Sequence, residues 1–97
     1  MKRTEFVFTI GFQGDAAVVD RRAQKMYGSH STMQLAEEGL YRAAFSSALY
    51  SGDKEEMREF LDFFSQKTGL EALDEDRVKR LFGIYTVPDQ VKGIITV

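Results

Sequence analysis

Apolar side chains alternate with smaller or polar ones near the start of the chain. In TEFVFTIGF, residues 4–12, every second position carries a phenylalanine or an isoleucine. A period of two with β-branched and aromatic residues predicts a strand with one buried face. Glycines then interrupt the pattern, and AAVVD, residues 16–20, predicts a second strand that closes an antiparallel hairpin. The face expected to be buried consists of Phe6, Phe8, Ile10 and Phe12.

A helical pattern follows in residues 31–51, STMQLAEEGLYRAAFSSALYS. Ser31 and Gln34 have the spacing of a capping box at a helix start. Behind them, two rows of apolar side chains recur every four residues, and together they form a wide apolar face. The sequence therefore predicts one long central helix that ends near Gly52. The two rows are Leu40, Ala44, Ala48 and Tyr41, Phe45, Leu49.

A second helix is predicted to begin after the N-cap Asp53 and to end at Gly69. Its apolar stripe has the spacing i, i+3, i+4, i+7, and the short link to the central helix favours an antiparallel αα-hairpin. Asp74 caps a short third helix that ends at Gly83. The stripe consists of Met57, Phe60, Leu61 and Phe64.

The remaining segments are shorter. Residues 84–87 (IYTV) and 91–97 (VKGIITV) predict two strands separated by a Pro88-Asp89 turn. Residues 21–30 are the least regular stretch, which indicates a loop, with a third short strand over residues 24–27 as the alternative.

These elements predict one α+β domain over residues 1–97. A small antiparallel sheet, made of the N-terminal hairpin and the C-terminal strands, should carry two to three helices on one face. The other face would then be a mixed, mildly apolar surface that could pair with a second copy. That outer face is expected to include Val7, Thr9, Ala17 or Val19, and Tyr85.

Composition limits the possible chemistry. The 97 residues contain no Cys and one His, so disulfides, thiolate metal sites and multi-His sites are excluded. We expect no metal and no cofactor. No run of 18 apolar residues is present, and the short N-terminal apolar run lacks the features of a signal peptide. The chain is therefore expected to be cytoplasmic, without a membrane partner.

A polar loop with basic residues upstream is the strongest candidate ligand site. Amides at a helix start attract anions, so this group could bind phosphate-type ligands or support an enzyme. The simpler explanation is that Ser31 caps the helix and the basic residues are solvated. No catalytic residue is assigned. The candidate anion-binding residues are Arg21, Arg22, Lys25, His30, Ser31 and Thr32.

A nucleic-acid partner is the other alternative. Residues 57–82 could form a helix-turn-helix, but acids such as Asp74, Glu75 and Asp76 would meet phosphates at the start of the recognition helix. The net charge of −2 gives no general attraction to nucleic acid. The sequence thus favours a small cytosolic, non-enzymatic binding or regulatory domain. We expect it to form a homo-oligomer or to bind another protein.

Overall fold

The computed structural model describes residues 1–89 and 91–97. Within these ranges the chain forms six helices and three strands, so the α+β class is confirmed, whereas two to three helices is too few. The helices are α1 (Arg3–Val7), α2 (Arg21–Tyr27), α3 (Thr32–Glu37), α4 (Tyr41–Ser51), α5 (Lys54–Thr68) and α6 (Glu75–Phe82). The strands are β1 (Thr9–Gln13), β2 (Ala16–Val19) and β3 (Gly93–Thr96).

The sheet is mixed rather than purely antiparallel. Its strand order is β1-β2-β3, and β1 and β2 form the expected antiparallel hairpin. β3 pairs with β2 in parallel, with Ala16 opposite Gly93 and Val19 opposite Thr96. Parallel neighbours need a long connection, and the helical part of the chain supplies it here. The expected strand over residues 84–87 does not form.

The N-terminal segment with alternating apolar residues forms a helix followed by a strand, rather than one strand. Residues 3–7 form α1, where the Glu5 carboxylate accepts a 2.7 Å hydrogen bond from the Lys2 backbone N–H. Phe6 and Phe8 are buried as expected, but Ile10 and Phe12 on β1 are 53% and 54% exposed. A bulge between residues 9 and 11 accompanies this change of face.

The buried face of the sheet is therefore the one expected to be outside. Thr9, Ala17 and Val19 are buried against the helices, and so is Val7 at the end of α1. A shift of one residue in a strand exchanges its two faces. The expected outer surface made of these residues is wrong, except that Tyr85 is exposed.

The predicted central helix is two helices, α3 and α4, because the backbone is left-handed at Gly39. This glycine has φ +80°. Its N–H donates to the Ala36 carbonyl over 3.0 Å, and the Leu40 N–H donates to the Leu35 carbonyl over 3.0 Å. This pair of bonds is a Schellman motif, which terminates a helix. The capping box of Ser31 and Gln34 at the start of α3 is confirmed.

Residues 21–27 form helix α2 instead of a loop or a third strand. Asp20 supplies the cap, since its Oδ1 accepts a 3.1 Å hydrogen bond from the Ala23 N–H. A capped first turn satisfies amides that otherwise have no partner in the helix. Both alternatives considered for this stretch are therefore wrong.

The two helices after residue 40 form the predicted antiparallel pair. Tyr41 near the start of α4 lies 5.0 Å from Phe64 late in α5, and Phe45 lies 5.9 Å from Phe60 between ring centroids. Phe82 of α6 completes the cluster at 5.8 Å from Phe45. Full burial of a ring, as for Phe45 and Phe60 at 0% exposed, contributes about 1.5–3 kcal/mol before entropy costs. This aromatic cluster is the centre of the core.

Candidate binding surface

The basic residues expected to bind anions lie together on α2. Arg21, Arg22 and Lys25 are exposed and line one shallow surface with Met26 and Val97. Their spacing places them on neighbouring positions of the helix. The structure therefore brings three of the six predicted residues together.

The other predicted residues make contacts elsewhere. Ser31 Oγ accepts a 3.2 Å hydrogen bond from the Gln34 N–H at the start of α3. The carbonyl of His30 accepts a 2.7 Å hydrogen bond from Arg3 Nη2, and its ring packs edge-on against Tyr27. Anion binding by the whole group stays a prediction.

Thr32 belongs to a chain of side-chain hydrogen bonds that the sequence did not reveal. Arg3 Nη2 donates to Ser47 Oγ over 2.9 Å. The Thr32 hydroxyl is 2.8 Å from Ser47 Oγ and also bonds Glu56 Oε1. Since the Thr32 hydroxyl has one proton, which it donates to Glu56, the Ser47 hydroxyl donates to Thr32. We call these four residues the polar relay (Arg3, Ser47, Thr32, Glu56). They lie on four different helices, α1, α4, α3 and α5, and their hydrogen bonds join those helices.

The relay is a structural feature rather than an accessible site. Thr32 and Ser47 are 1% and 3% exposed, so their hydroxyls are out of contact with solvent. Buried polar groups that lack partners are costly, and here each hydroxyl has one. Thr32 therefore lies inside the protein rather than beside the exposed basic residues of α2.

An apolar cleft of about 420 Å³ lies between β1 and α4. Its wall includes Ile10, Leu40 and Phe82, and its polar members include Asp20 and Arg42. Both polar side chains already bond within the protein: Asp20 caps α2, and Arg42 Nη1 donates to the Thr9 carbonyl over 3.2 Å. A binding pocket of this size normally has polar groups that converge on a ligand. In this cleft, Asp20 and Arg42 instead bond to other parts of the protein.

The outer edge of β3 is the most distinctive surface. In the described part of the chain β3 has one strand neighbour, β2. Ile94 and Ile95 point to opposite faces of the strand, yet they are 37% and 38% exposed, and the following Val97 is 65% exposed. Neither face of β3 is therefore fully covered by helices.

The backbone direction of β3 follows from its last residue. The Val97 N–H donates to the Val19 carbonyl over 3.0 Å, and the Val97 carbonyl accepts from the Arg21 N–H over 3.1 Å. Both polar groups of Val97 thus face β2. Successive residues of a strand direct these groups to opposite edges, so those of Ile94 and Thr96 face outward.

The edge of β1 on the other side of the sheet is partly occupied. Arg42 crosses it with its hydrogen bond to the Thr9 carbonyl. Phe12 and Tyr85 line the same small cleft beside it, together with Pro88. The two edges of the sheet therefore differ in how much backbone they offer to another chain.

Over the residues that the structure describes, the protein is a small α+β fold with a mixed sheet, and its edge strand β3 is partly exposed on both faces. Comparison with known proteins found no matching family model, curated protein or solved structure. Over residues 1–89 and 91–97, no helix has the length and apolar character needed to span a membrane. The same ranges contain no cluster of three or more His, Asp or Glu side chains placed to hold a metal ion.

Proposed function

We propose that this chain is a small, non-enzymatic binding domain with a regulatory role in the cytoplasm. It acts by self-association, and its contact surface is the outer edge of β3. Ile94, Ile95 and Val97 supply the apolar side chains of that edge. The observation that carries the proposal is an edge strand exposed on both faces.

The composition of the edge supports pairing with another strand. Residues 93–97, GIITV, contain no proline and no charge. Proteins usually protect an edge strand with proline or charged residues. Without them, the unpaired N–H and C=O groups of the edge can pair with a further strand. Strand addition gains affinity from main-chain hydrogen bonds and specificity from alternate side chains.

The association is tested by measuring mass over a range of protein concentrations, by sedimentation equilibrium or light scattering. The mass should rise with concentration from 11.0 kDa toward twice that value. Ile95→Lys should shift the curve toward the monomer, since it puts a charge on the pairing edge. Ile10→Lys is the matched control, because Ile10 is an exposed isoleucine on β1 at the occupied edge.

Two results would contradict the proposal. One is a wild-type mass of a single chain at every concentration. The other is equal weakening by the Ile95→Lys and Ile10→Lys variants, which would indicate general apolar adhesion rather than pairing at β3. Circular dichroism of each variant distinguishes lost association from lost fold.

A phosphate-type ligand is the second candidate, favoured by the shared surface of Arg21, Arg22 and Lys25. Titration with inorganic phosphate, followed by amide chemical shifts, should move signals of α2. Replacing Arg22 and Lys25 with alanine should abolish those shifts. Nucleic acid is the weakest alternative, because the first turn of α6 contains Glu75 and Asp76, which would repel its phosphates.

A further inference from the structure

We infer that two copies join β3 to β3 in antiparallel orientation, about a two-fold axis that passes between their Ile95 residues. This inference rests on the proposed self-association and adds its geometry. A two-fold contact uses the same surface on both copies and closes on itself, so the product is a dimer with a six-stranded sheet rather than a filament.

The backbone selects the register. Ile94 and Thr96 are the residues of β3 whose N–H and C=O groups face outward. In an antiparallel pair, hydrogen-bonded residues exchange both bonds. Ile94 can pair with the partner's Thr96, and Thr96 with the partner's Ile94. This pairing gives a partner to both N–H donors and both C=O acceptors of each copy's edge. A register centred on Ile94 would instead set Thr96 opposite the partner's Lys92, and the N–H of Lys92 already donates to the Asp15 carbonyl.

This register also brings apolar side chains together. Ile95 lies opposite the partner's Ile95 at a position without mutual hydrogen bonds, where side chains are closest. On the same face, Val97 lies opposite the partner's Gly93. The pair of Ile95 side chains is β-branched on both copies, a combination that stabilises neighbouring strands, whereas Gly93 leaves room for the partner's Val97.

The charges at the two ends of the strand favour the antiparallel orientation. The Val97 end lies beside the basic surface of α2, where Arg21 and Lys25 are exposed. The Gly93 end lies beside Ala16 and is adjacent in sequence to Lys92, which bonds Asp15. Asp15 and Asp89 line one surface at that end.

An antiparallel pair therefore sets each basic end next to an end of the other copy that has two carboxylates, Asp15 and Asp89, and one cation, Lys92. The exposed Lys92–Asp15 pair has an N–O distance of 3.9 Å. Such a long, solvated contact leaves Asp15 able to interact with a second cation. Electrostatic complementarity of this kind fixes orientation and register more than it adds affinity.

The absence of cysteine from the chain permits a direct test of the register. Residues opposed at a non-hydrogen-bonded position lie about 4.5 Å apart between Cα atoms, within the range of a disulfide. With oxidised glutathione added as the oxidant, Ile95→Cys should therefore form a disulfide-linked dimer of twice the chain mass on a non-reducing gel. Ile10→Cys, the matched control, should remain a single chain at the same concentration.

A charge reversal tests the orientation while leaving the sequence of β3 unchanged. Asp15→Lys should raise the dimer dissociation constant roughly two- to tenfold, since two symmetric exposed charge pairs are lost. Asp62→Lys makes the same change in net charge on α5, whose exposed face lies outside the sheet, and should leave the constant unchanged.

The outcomes separate this inference from the proposal beneath it. A wild-type dimer whose Ile95→Cys variant does not cross-link, or whose affinity ignores Asp15→Lys, overturns the register while self-association stands. A wild-type monomer overturns both. Cross-linking of Ile10→Cys and Ile95→Cys at equal rates indicates random collision and also overturns the register. Selective cross-linking at Ile95 together with weakening by Asp15→Lys supports it.

Discussion

Replacing Gly39 with alanine distinguishes a broken central helix from a continuous one by the sign of the stability change. In the structure, Gly39 has φ +80° between α3 and α4. An L-residue in the left-handed region costs roughly 1–2 kcal/mol. In the interior of one continuous helix, the same substitution would instead gain about 1 kcal/mol.

The local surroundings make the backbone cost easy to isolate. A Cβ added at Gly39 meets no atom within 4 Å, so neither a clash nor new packing contributes. The two Schellman hydrogen bonds, from Gly39 and Leu40, depend on the left-handed conformation. We therefore expect Gly39→Ala to destabilise the protein by about 1–2 kcal/mol, almost all of it conformational.

Urea denaturation followed by circular dichroism gives the measurement. Two-state behaviour and an unchanged slope with denaturant should accompany a lower midpoint. For a chain of this size, 1 kcal/mol corresponds to about 4–8 °C in Tm. Gly11→Ala is the control: its Cβ also meets nothing within 4 Å, and its φ lies outside the left-handed region.

One result would contradict the break between α3 and α4. If Gly39→Ala raised the midpoint, as Gly11→Ala is expected to do at its ordinary φ, residues 31–51 would form a single helix and the separation of α3 from α4 would be wrong. Gly39→Asn refines the result, because asparagine tolerates the left-handed region better than alanine does. Its cost should lie between those of glycine and alanine.

Two further substitutions test the helix network. Thr32→Val should cost about 1–3 kcal/mol of unfolding free energy, since it leaves the buried Ser47 hydroxyl without its acceptor; the exposed Thr86→Val should change it by less than about 0.5 kcal/mol. Equal effects in urea denaturation would remove the relay as a stabilising feature. Asp53→Ala should cost about 1 kcal/mol by removing the cap of α5, whereas Asp62→Ala on the exposed face of the same helix should be nearly neutral, and the reverse order would contradict the capping role.

The helices with a cap at each end were the most predictable part of the fold. Asp53 and Gly69 enclose α5, and Asp74 and Gly83 enclose α6, with the expected caps in place. The missed break at Gly39 had a similar signal, because Gly39 precedes a leucine as Gly69 does. The continuous apolar pattern on both sides of Gly39 concealed it, since a Schellman turn lets both helices bury that pattern.

The sheet was less predictable because its pairing depends on distant parts of the chain. Alternation in residues 4–12 identified apolar positions, but it could not show that α1 ends before Thr9 and that a bulge follows. The parallel direction of β3 likewise depends on the route taken by the helices, and local pattern contains no information on that route.

The candidate site was also only partly predictable from the sequence. The basic residues of α2 were identified from their proximity in sequence, and they do share a surface. Thr32 was grouped with them because it follows Ser31, yet its hydroxyl faces Ser47 and Glu56. Those partners are far from it along the chain, so only tertiary packing could reveal the relay.

The parallel pairing of β2 with β3 also constrains how the protein is assembled in time. Ala16 is made before Gly93, so these two residues can meet only after the segment between them has been synthesised. Closing so large a loop is entropically unfavourable until the helices between them have compacted, and contacts of this separation slow folding. During synthesis on a ribosome, β2 therefore stays unpaired on one side until β3 has been made and the helices between the two strands have packed.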